Sequence, residues 1–174
     1  TRIYLQIPVL LRFFRKYVPG CAKCVIREIA PMIGVRESRR IVGDYMLTGE
    51  DVINGARFDD AVAMGGYMVD IHRPCGTWVE SYNVKAYQIP FRCLVARDVE
   101  NLLMAGKCFS GSHHAVASTR VIPICMAQGQ AAGTAAALSV RHRRSPREIG
   151  IRMLQETLIA QGAELGQTLG EPDP

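Results

Sequence analysis

The chain has 174 residues, a net charge of +5, 48% hydrophobic and 21% charged residues. These proportions exclude a wholly disordered chain and suffice for one ordinary domain. The positive excess contains no long basic block, so no nucleic-acid partner is expected. Six Cys form no recognisable disulfide framework. No leader with a small-residue cleavage site is readable, so free thiols in a cytoplasmic, reducing compartment are the default expectation.

In chain order, Ile3 to Val18 places Ile7, Leu10, Leu11 and Phe14 at helical spacing, and Pro19-Gly20 stops that helix. Cys24 to Ile29 is a short β-prone run ended by Pro31. Arg36 to Arg40 is a charged cluster, expected to form salt bridges rather than a site. Thr48 is a good N-cap for a helix over about Gly49 to Met64, with Asp51 completing an imperfect capping box and Gly65-Gly66 ending it. Tyr67 to Ile71 alternates as a strand. Trp78 to Leu94 predicts paired strands with Pro90 at an edge or bulge. Leu102 to Ala105 is a short apolar strand, followed by a loop rich in Gly, Ser and His to Arg120. Pro123 opens a long helix of small residues to about Val140. Ser145 caps a last helix that begins with Pro146 and runs to about Ala160. The tail from Glu171 is expected to fray.

Val121 to Val140 is twenty residues without formal charge, followed by Arg141, His142, Arg143 and Arg144. Length and flank fit a membrane span. Pro123, Gln128, Gln130 and Thr134, with many Ala and Gly, instead predict a buried helix and no stable span.

The most informative unit is strand, polar loop and helix: Asn101 to Gly106, Gly111 to Arg120, then Pro123 to Ala137. α/β folds place ligands at the end of a strand that feeds a helix N-terminus. Gly129 and Gly133 stack on one helix face, flanked by Ala132 and Ala136, so that face suits close approach by a sheet or a flat ligand. Pro123 lacks an N–H, leaving the peptide groups of Ile124, Cys125 and Met126 at the positive end of the dipole. A helix packed closely for its own sake explains the same spacing.

The strings Tyr87-Gln-Ile-Pro-Phe-Arg-Cys-Leu94, Asn101-Leu-Leu-Met-Ala-Gly-Lys107 and Arg120-Val-Ile-Pro-Ile-Cys-Met-Ala-Gln-Gly-Gln-Ala-Ala-Gly133 carry a resemblance. So do Gly34 to Gly43, Leu47 to Asp51, Asp70-Ile-His72 and Leu154 to Leu165. Together they resemble the C-terminal part of FAD-dependent oxidoreductases of the glutathione-reductase-like superfamily, specifically its bacterial group, distantly similar to fumarate reductase and succinate dehydrogenase flavoproteins. The Gly-x-Gly-x-x-Gly turn that seats the ADP pyrophosphate in such proteins does not occur in these 174 residues. The resemblance therefore implies an α/β fold with an α+β substrate portion, an incomplete FAD/NAD(P)-binding fold without its N-terminal Rossmann βαβ unit. Its implied divisions are residues 1–30 (helix and linker), 31–95 (substrate region), 96–143 (end of the FAD region) and 144–174 (last helix and tail).

The implied cofactor is FAD. The resemblance places Ala105, Gly106 and Lys107 by the ribityl chain, with Ser110 in the same loop. It sets Pro123, Ile124, Cys125, Met126 and Gly129 along the flavin edge. Lys107 stands where fumarate reductases usually have Glu. Arg120, His114 and His72 are the implied catalytic residues. Arg120 either faces flavin or an anionic substrate, or anchors its loop through carbonyls. His113 and His114 share that loop, where one imidazole near flavin could bond substrate or move a proton. Arg92 is read equally as a substrate contact or as a buried ion pair with Glu37 or Asp98.

The implied activity is hydride transfer between flavin N5 and a small organic substrate. A second reading is a fragment or subunit that binds no FAD alone, completed by self-association or by a missing N-terminal part. A third is a zinc module from Cys21, Cys24, His72 and Cys75, although 47 residues separate Cys24 from His72. No metal ligand is assigned on that basis.

Overall fold

The computed structural model describes residues 2–72 and 79–166. The chain divides into two compact units, residues 1–35 and 36–174.

The first unit is built on helix α1, Arg2–Tyr17. Arg15 and Lys16 lie in its last turn, where cations complement the negative end of the dipole. Gly20, at φ +82°, turns the chain out of the helix. The side chain of Arg15 then holds the returning segment by donating to the Cys24 carbonyl at 2.9 Å. The β-prone run from Cys24 forms no strand. β propensity alone does not make a strand, and among the described residues no strand pairs with this run.

The second unit begins its regular structure with α2, Gly49–Asn54. Its capping box is complete. Thr48 Oγ1 accepts from the Asp51 N–H at 3.1 Å, and the Asp51 carboxylate accepts from the Thr48 N–H at 2.8 Å. The predicted continuation to Met64 is wrong. Gly55, at φ +72°, ends the helix, and a Cβ there would meet the Lys85 Cβ at 2.8 Å. Residues after the turn form β1, Ala61–Gly65, instead. β1 pairs antiparallel with β4, Tyr87–Pro90, and both strands are almost wholly buried. Ladder pairing and burial on both faces outweigh the helical spacing seen in the sequence.

β2, Val69–His72, pairs antiparallel with β3, Val79–Tyr82. Val69 and Ile71 are buried, whereas His72 is exposed, as the alternation predicts. The run from Trp78 to Leu94 thus contains two strands that pair with earlier strands, not with each other; Trp78 itself lies outside the described residues. The apolar segment from Leu102 is not a regular strand. It folds back antiparallel on residues 94–96: Ala96 N–H bonds the Leu102 carbonyl at 3.1 Å and Met104 N–H bonds that of Leu94 at 2.8 Å.

The loop after Gly106 contains a 3₁₀ turn, Gly106–Cys108, and helix α3, His113–Thr119. α4 spans Ile122–His142. Ile124, Gln128, Ala131, Ala135 and Leu138 form its buried face, while Ile122, Met126, Gly129, Gly133 and Val140 face outward. The predicted last helix is two elements. Ser145 and Glu148 make their capping box on a 3₁₀ turn, Pro146–Glu148; extended Ile149 then breaks the chain before α5, Ile151–Ala160.

One core joins these elements, from Leu47 and Val52 through Ile89 and Leu94 to Ala131, Leu154 and Leu165. It runs continuously across the expected division at residue 95. Two buried amides lock it. Gln88 accepts from the Phe58 N–H at 2.7 Å and donates to the Leu165 carbonyl at 2.7 Å. Gln155, on α5, donates to the carbonyls of Asp59 and Ala61 at 2.8 and 3.0 Å. The second unit is therefore a mixture of helices and small antiparallel sheets, compatible with an α/β class.

No single helix among the described residues is long and apolar enough to cross a membrane. α3 and α4 reach that length and composition only as a pair bent by 98°.

Candidate functional site

Two neighbouring groups of side chains are built around the path from Ala105 to α4. The first joins the 3₁₀ turn to the helix. Gly106 sits at φ +77°, a conformation that favours glycine, and its N–H donates to Gln128 Oε1 at 2.8 Å. Cys125 lies beside Gly106, and its Sγ approaches the Thr119 carbonyl at 3.5 Å. Burial pushes the Cys125 thiol up and Lys107 partly offsets it, so this sulfur is a packing group rather than a thiolate nucleophile. Gln128 is fully buried, and its Nε2 has no hydrogen-bond partner. A buried amide with an unused donor is uncommon in a settled core.

The start of α4 differs from the sequence expectation by one residue. With Val121 as N-cap, the Cys125 N–H is already bonded to the Val121 carbonyl at 3.0 Å. The first-turn N–H groups lacking an intrahelical acceptor are those of Ile122 and Ile124, since Pro123 has none. Ile124 is buried; Pro123, Met126 and Gly129 are exposed, and Cys125 is half-buried. A groove of about 590 Å³ runs past Pro123, Met126 and Gln130 to Ala163. A Cβ at Gly129 or Gly133 would meet nothing within 4 Å. No sheet approaches this glycine face among the described residues, contrary to the expected close packing.

Ser110 does not share that surface. It is buried, its N–H bonds the Cys93 carbonyl at 3.0 Å, and its own carbonyl accepts from Leu47 at 3.2 Å. Ser110 thus stitches the loop to the core. Lys107 is exposed, whereas Ala105 and Gly106 are half-buried.

The second group is charged and centres on Asp70 and Glu37. Arg120 donates to the Asp70 carbonyl at 2.6 Å, and its side chain is only 10% exposed. Burial, then Arg36, lowers its pKa from the ordinary value, against the pull of Asp70 and Glu37. Arg120 is therefore a loop anchor in this fold. Arg36 Nη2 reaches Asp70 Oδ2 at 2.8 Å, and His72 Nε2 reaches Oδ1 at 3.1 Å. Next along the chain, Glu37 receives Arg40 at 2.6 Å and His113 Nδ1 at 2.8 Å.

His72 and Arg120 both engage Asp70, one through its carboxylate and the other through its carbonyl. His114 is exposed on the first turn of α3, packed over Gly49 and edge-on to His113. The run from Arg36 forms the salt bridges expected of it, Arg36 with Asp70 and Arg40 with Glu37. Arg92 pairs with Asp60, its Nε 2.9 Å from Oδ2, rather than with Glu37 or Asp98. Among the described residues no three His, Cys, Asp or Glu side chains are placed to hold a metal ion. Cys75, one of the four zinc candidates, lies outside them.

These features define a mixed α/β protein with a polar turn feeding a long helix beside a charged cluster. The family model described as FAD dependent oxidoreductase matches residues 3–158, and the chain belongs to that family. No curated protein and no solved structure matches it.

Proposed function

We propose that this chain supplies the flavin end of an FAD-dependent oxidoreductase acting on a small organic substrate. Family membership supports the oxidoreductase class and the cofactor. The observation that carries the site assignment is the turn at Gly106, bonded to Gln128 beneath the exposed first turns of α4. Its donor set fits a flavin and ribityl chain. Gly106 brings backbone to the surface, Gln128 has an unused amide donor, and Pro123, Met126 and Gly129 offer an open apolar edge. Ala105, Gly106 and Lys107 would hold the ribityl chain. Pro123, Cys125, Met126 and Gly129 would lie along the ring edge, with Ile124 supporting them from the core. Ser110 would act only by fixing the loop.

When bound, FAD would supply two-electron, hydride-transfer chemistry. The protein's share is positioning and electrostatics. The α4 N-terminus stabilises negative charge near it. Arg120 fixes the loop before that helix through Asp70, and His72 and His114 are exposed to solvent-borne substrate.

Pyrophosphate recognition needs backbone donors that this sequence does not supply with a Gly-x-Gly-x-x-Gly turn. The isolated chain is therefore expected to bind FAD weakly, and no more tightly than riboflavin. Flavin difference absorption during titration of the chain tests this. Comparable weak, saturable binding of both supports the assignment. Sub-micromolar FAD binding with weak riboflavin binding, or no binding of either at millimolar concentration, overturns it.

A further inference from the structure

We propose that Cys21 and Cys24 form a reversible intramolecular disulfide, which makes the turn after α1 a site of thiol oxidation by small disulfides. Neither the site nor its chemistry rests on the flavoprotein reading above, because both thiols lie in the first unit. The pair occupies the first and last positions of a β-turn, closed by the Cys24 N–H donating to the Cys21 carbonyl at 3.0 Å. Such a turn brings its end Cα atoms to within about 7 Å of each other. A disulfide spans about 4.4–6.8 Å between Cα atoms, so this backbone is already close to what the bond requires. Three further hydrogen bonds hold the turn. The Val18 N–H donates to the Phe14 carbonyl at 3.0 Å, the Cys21 N–H to the Val18 carbonyl at 3.1 Å, and Arg15 Nε to the Cys24 carbonyl at 2.9 Å. Cys24 is thus fixed through both its N–H and its carbonyl. Much of the entropy of closing the ring is lost when the turn forms, and each thiol meets the other at high effective concentration.

Access separates this pair from the other described cysteines. Cys21 and Cys24 are half-buried, whereas Cys93 is buried. Cys108 and Cys125 direct their sulfurs onto the carbonyls of Ala105 and Thr119 at 3.4 and 3.5 Å. Thiol–disulfide exchange needs a sulfur that a reagent can reach. Charge selects the reagent: Lys23 lies inside the turn, Arg15 is bonded to it, and Glu28 is the one acidic residue in the sequence from 1 to 35. An anionic disulfide such as oxidised glutathione is attracted to such a surface. One cysteine thiolate attacks a reagent sulfur; the reagent S–S bond breaks, one reagent thiolate leaves, and a mixed disulfide remains. The second cysteine attacks the protein sulfur of that mixed disulfide, which forms the Cys21–Cys24 bond and releases the other reagent thiolate. The two cysteine protons end on the two released thiols. The protein loses two electrons and the reagent gains them, and excess reduced thiol reverses both steps.

The test equilibrates the full chain with mixtures of reduced and oxidised glutathione, quenches exchange with acid and alkylates the remaining thiols. Mass spectrometry of the digest reads each cysteine as alkylated, bonded to glutathione or bonded to another cysteine. Cys21 and Cys24 should pair with each other at an oxidised-glutathione concentration at least about tenfold below the one that modifies Cys108, because their second step is intramolecular. Excess reduced glutathione should restore both thiols. In Cys21→Ser and Cys24→Ser the remaining thiol lacks its partner and should accumulate the mixed disulfide that the unsubstituted chain resolves. Mixed disulfides that persist at Cys21 or Cys24 in the unsubstituted chain overturn the proposal. So do pairing of either cysteine with Cys75 or with a second copy of the chain, and oxidation no easier than that of Cys108. If the serine variants fail to fold, the pairing map of the unsubstituted chain decides by itself.

Discussion

The N–H of Gly106 and the side-chain carbonyl of Gln128 meet at 2.8 Å across 22 residues of sequence. That one bond fixes the direction in which the chain enters the loop before α3 and the start of α4. Gln128→Ala should cost about 1–3 kcal/mol, since a half-buried donor loses its acceptor and the core gains a void. Urea unfolding of the two proteins measures it; an unchanged midpoint would mean that water replaces the side chain without penalty.

Gly129 and Gly133 provide a cleaner separation of stability from binding. Open space surrounds both Cβ positions, and both residues have helical φ within α4. Gly129→Ala and Gly133→Ala should each stabilise the chain by roughly 0.5–1 kcal/mol through helix propensity. If a flavin lies on this face, Gly129→Leu should keep the fold and lose flavin binding. Thermal melts and flavin titrations of the same samples read both effects.

Arg120→Ala should destabilise the protein by about 1.5–3 kcal/mol, because a covered guanidinium leaves the Asp70 carbonyl without its charged donor. Of the two readings the sequence offers for Arg120, this outcome follows from the loop-anchoring one rather than from contact with flavin or substrate. A full loss of activity with an unchanged unfolding midpoint would favour contact instead.

Alkaline pH should unfold the protein earlier than its charge suggests. Burial pushes the Cys93 thiol from 9.0 up to about 12, and the Tyr87 hydroxyl from 10.0 up to about 12. Both groups hold their proton more tightly when folded than when unfolded. Their contribution is complete below the unfolded values and is lost as pH rises through the folded ones. Stability should therefore fall from about pH 9 to pH 12, and Cys93→Ala should remove the first part of that slope. A flat profile over this range would count against the buried thiol and phenol as its source.

Gly65 pairs with Tyr87 across β1 and β4, and a Cβ at Gly65 would run into the Tyr87 ring. Gly65→Ala should cost about 1–3 kcal/mol through overpacking. Tyr87→Leu in the same chain should recover part of that loss, which a double-mutant cycle would measure.

Long periodic segments were legible from sequence. α1 and α4 lie within two residues of their expected limits, because their apolar and small residues repeat over many turns. The segment from Gly49 to Met64 was misread because Val52, Ile53 and Ala56 continue a helical spacing. Gly55 breaks it only through its positive φ and the nearby Lys85, and strand formation at Ala61 depends on β4, more than twenty residues later. The charged cluster was half legible. Arg36 and Glu37 announced salt bridges, but their partners Asp70 and His113 are fixed by tertiary contacts that no local pattern encodes. Of the two adjacent histidines only His113 faces Glu37, because neighbouring helix residues point in different directions.

Gln88 bridges Phe58 and Leu165, the latter 77 residues further along the chain. During synthesis its amide therefore waits until residue 165 has emerged. A chain halted before that point leaves a buried donor on Gln88 without its acceptor. Nascent chains should thus become protease-resistant abruptly once residue 165 clears the ribosome, rather than in stages.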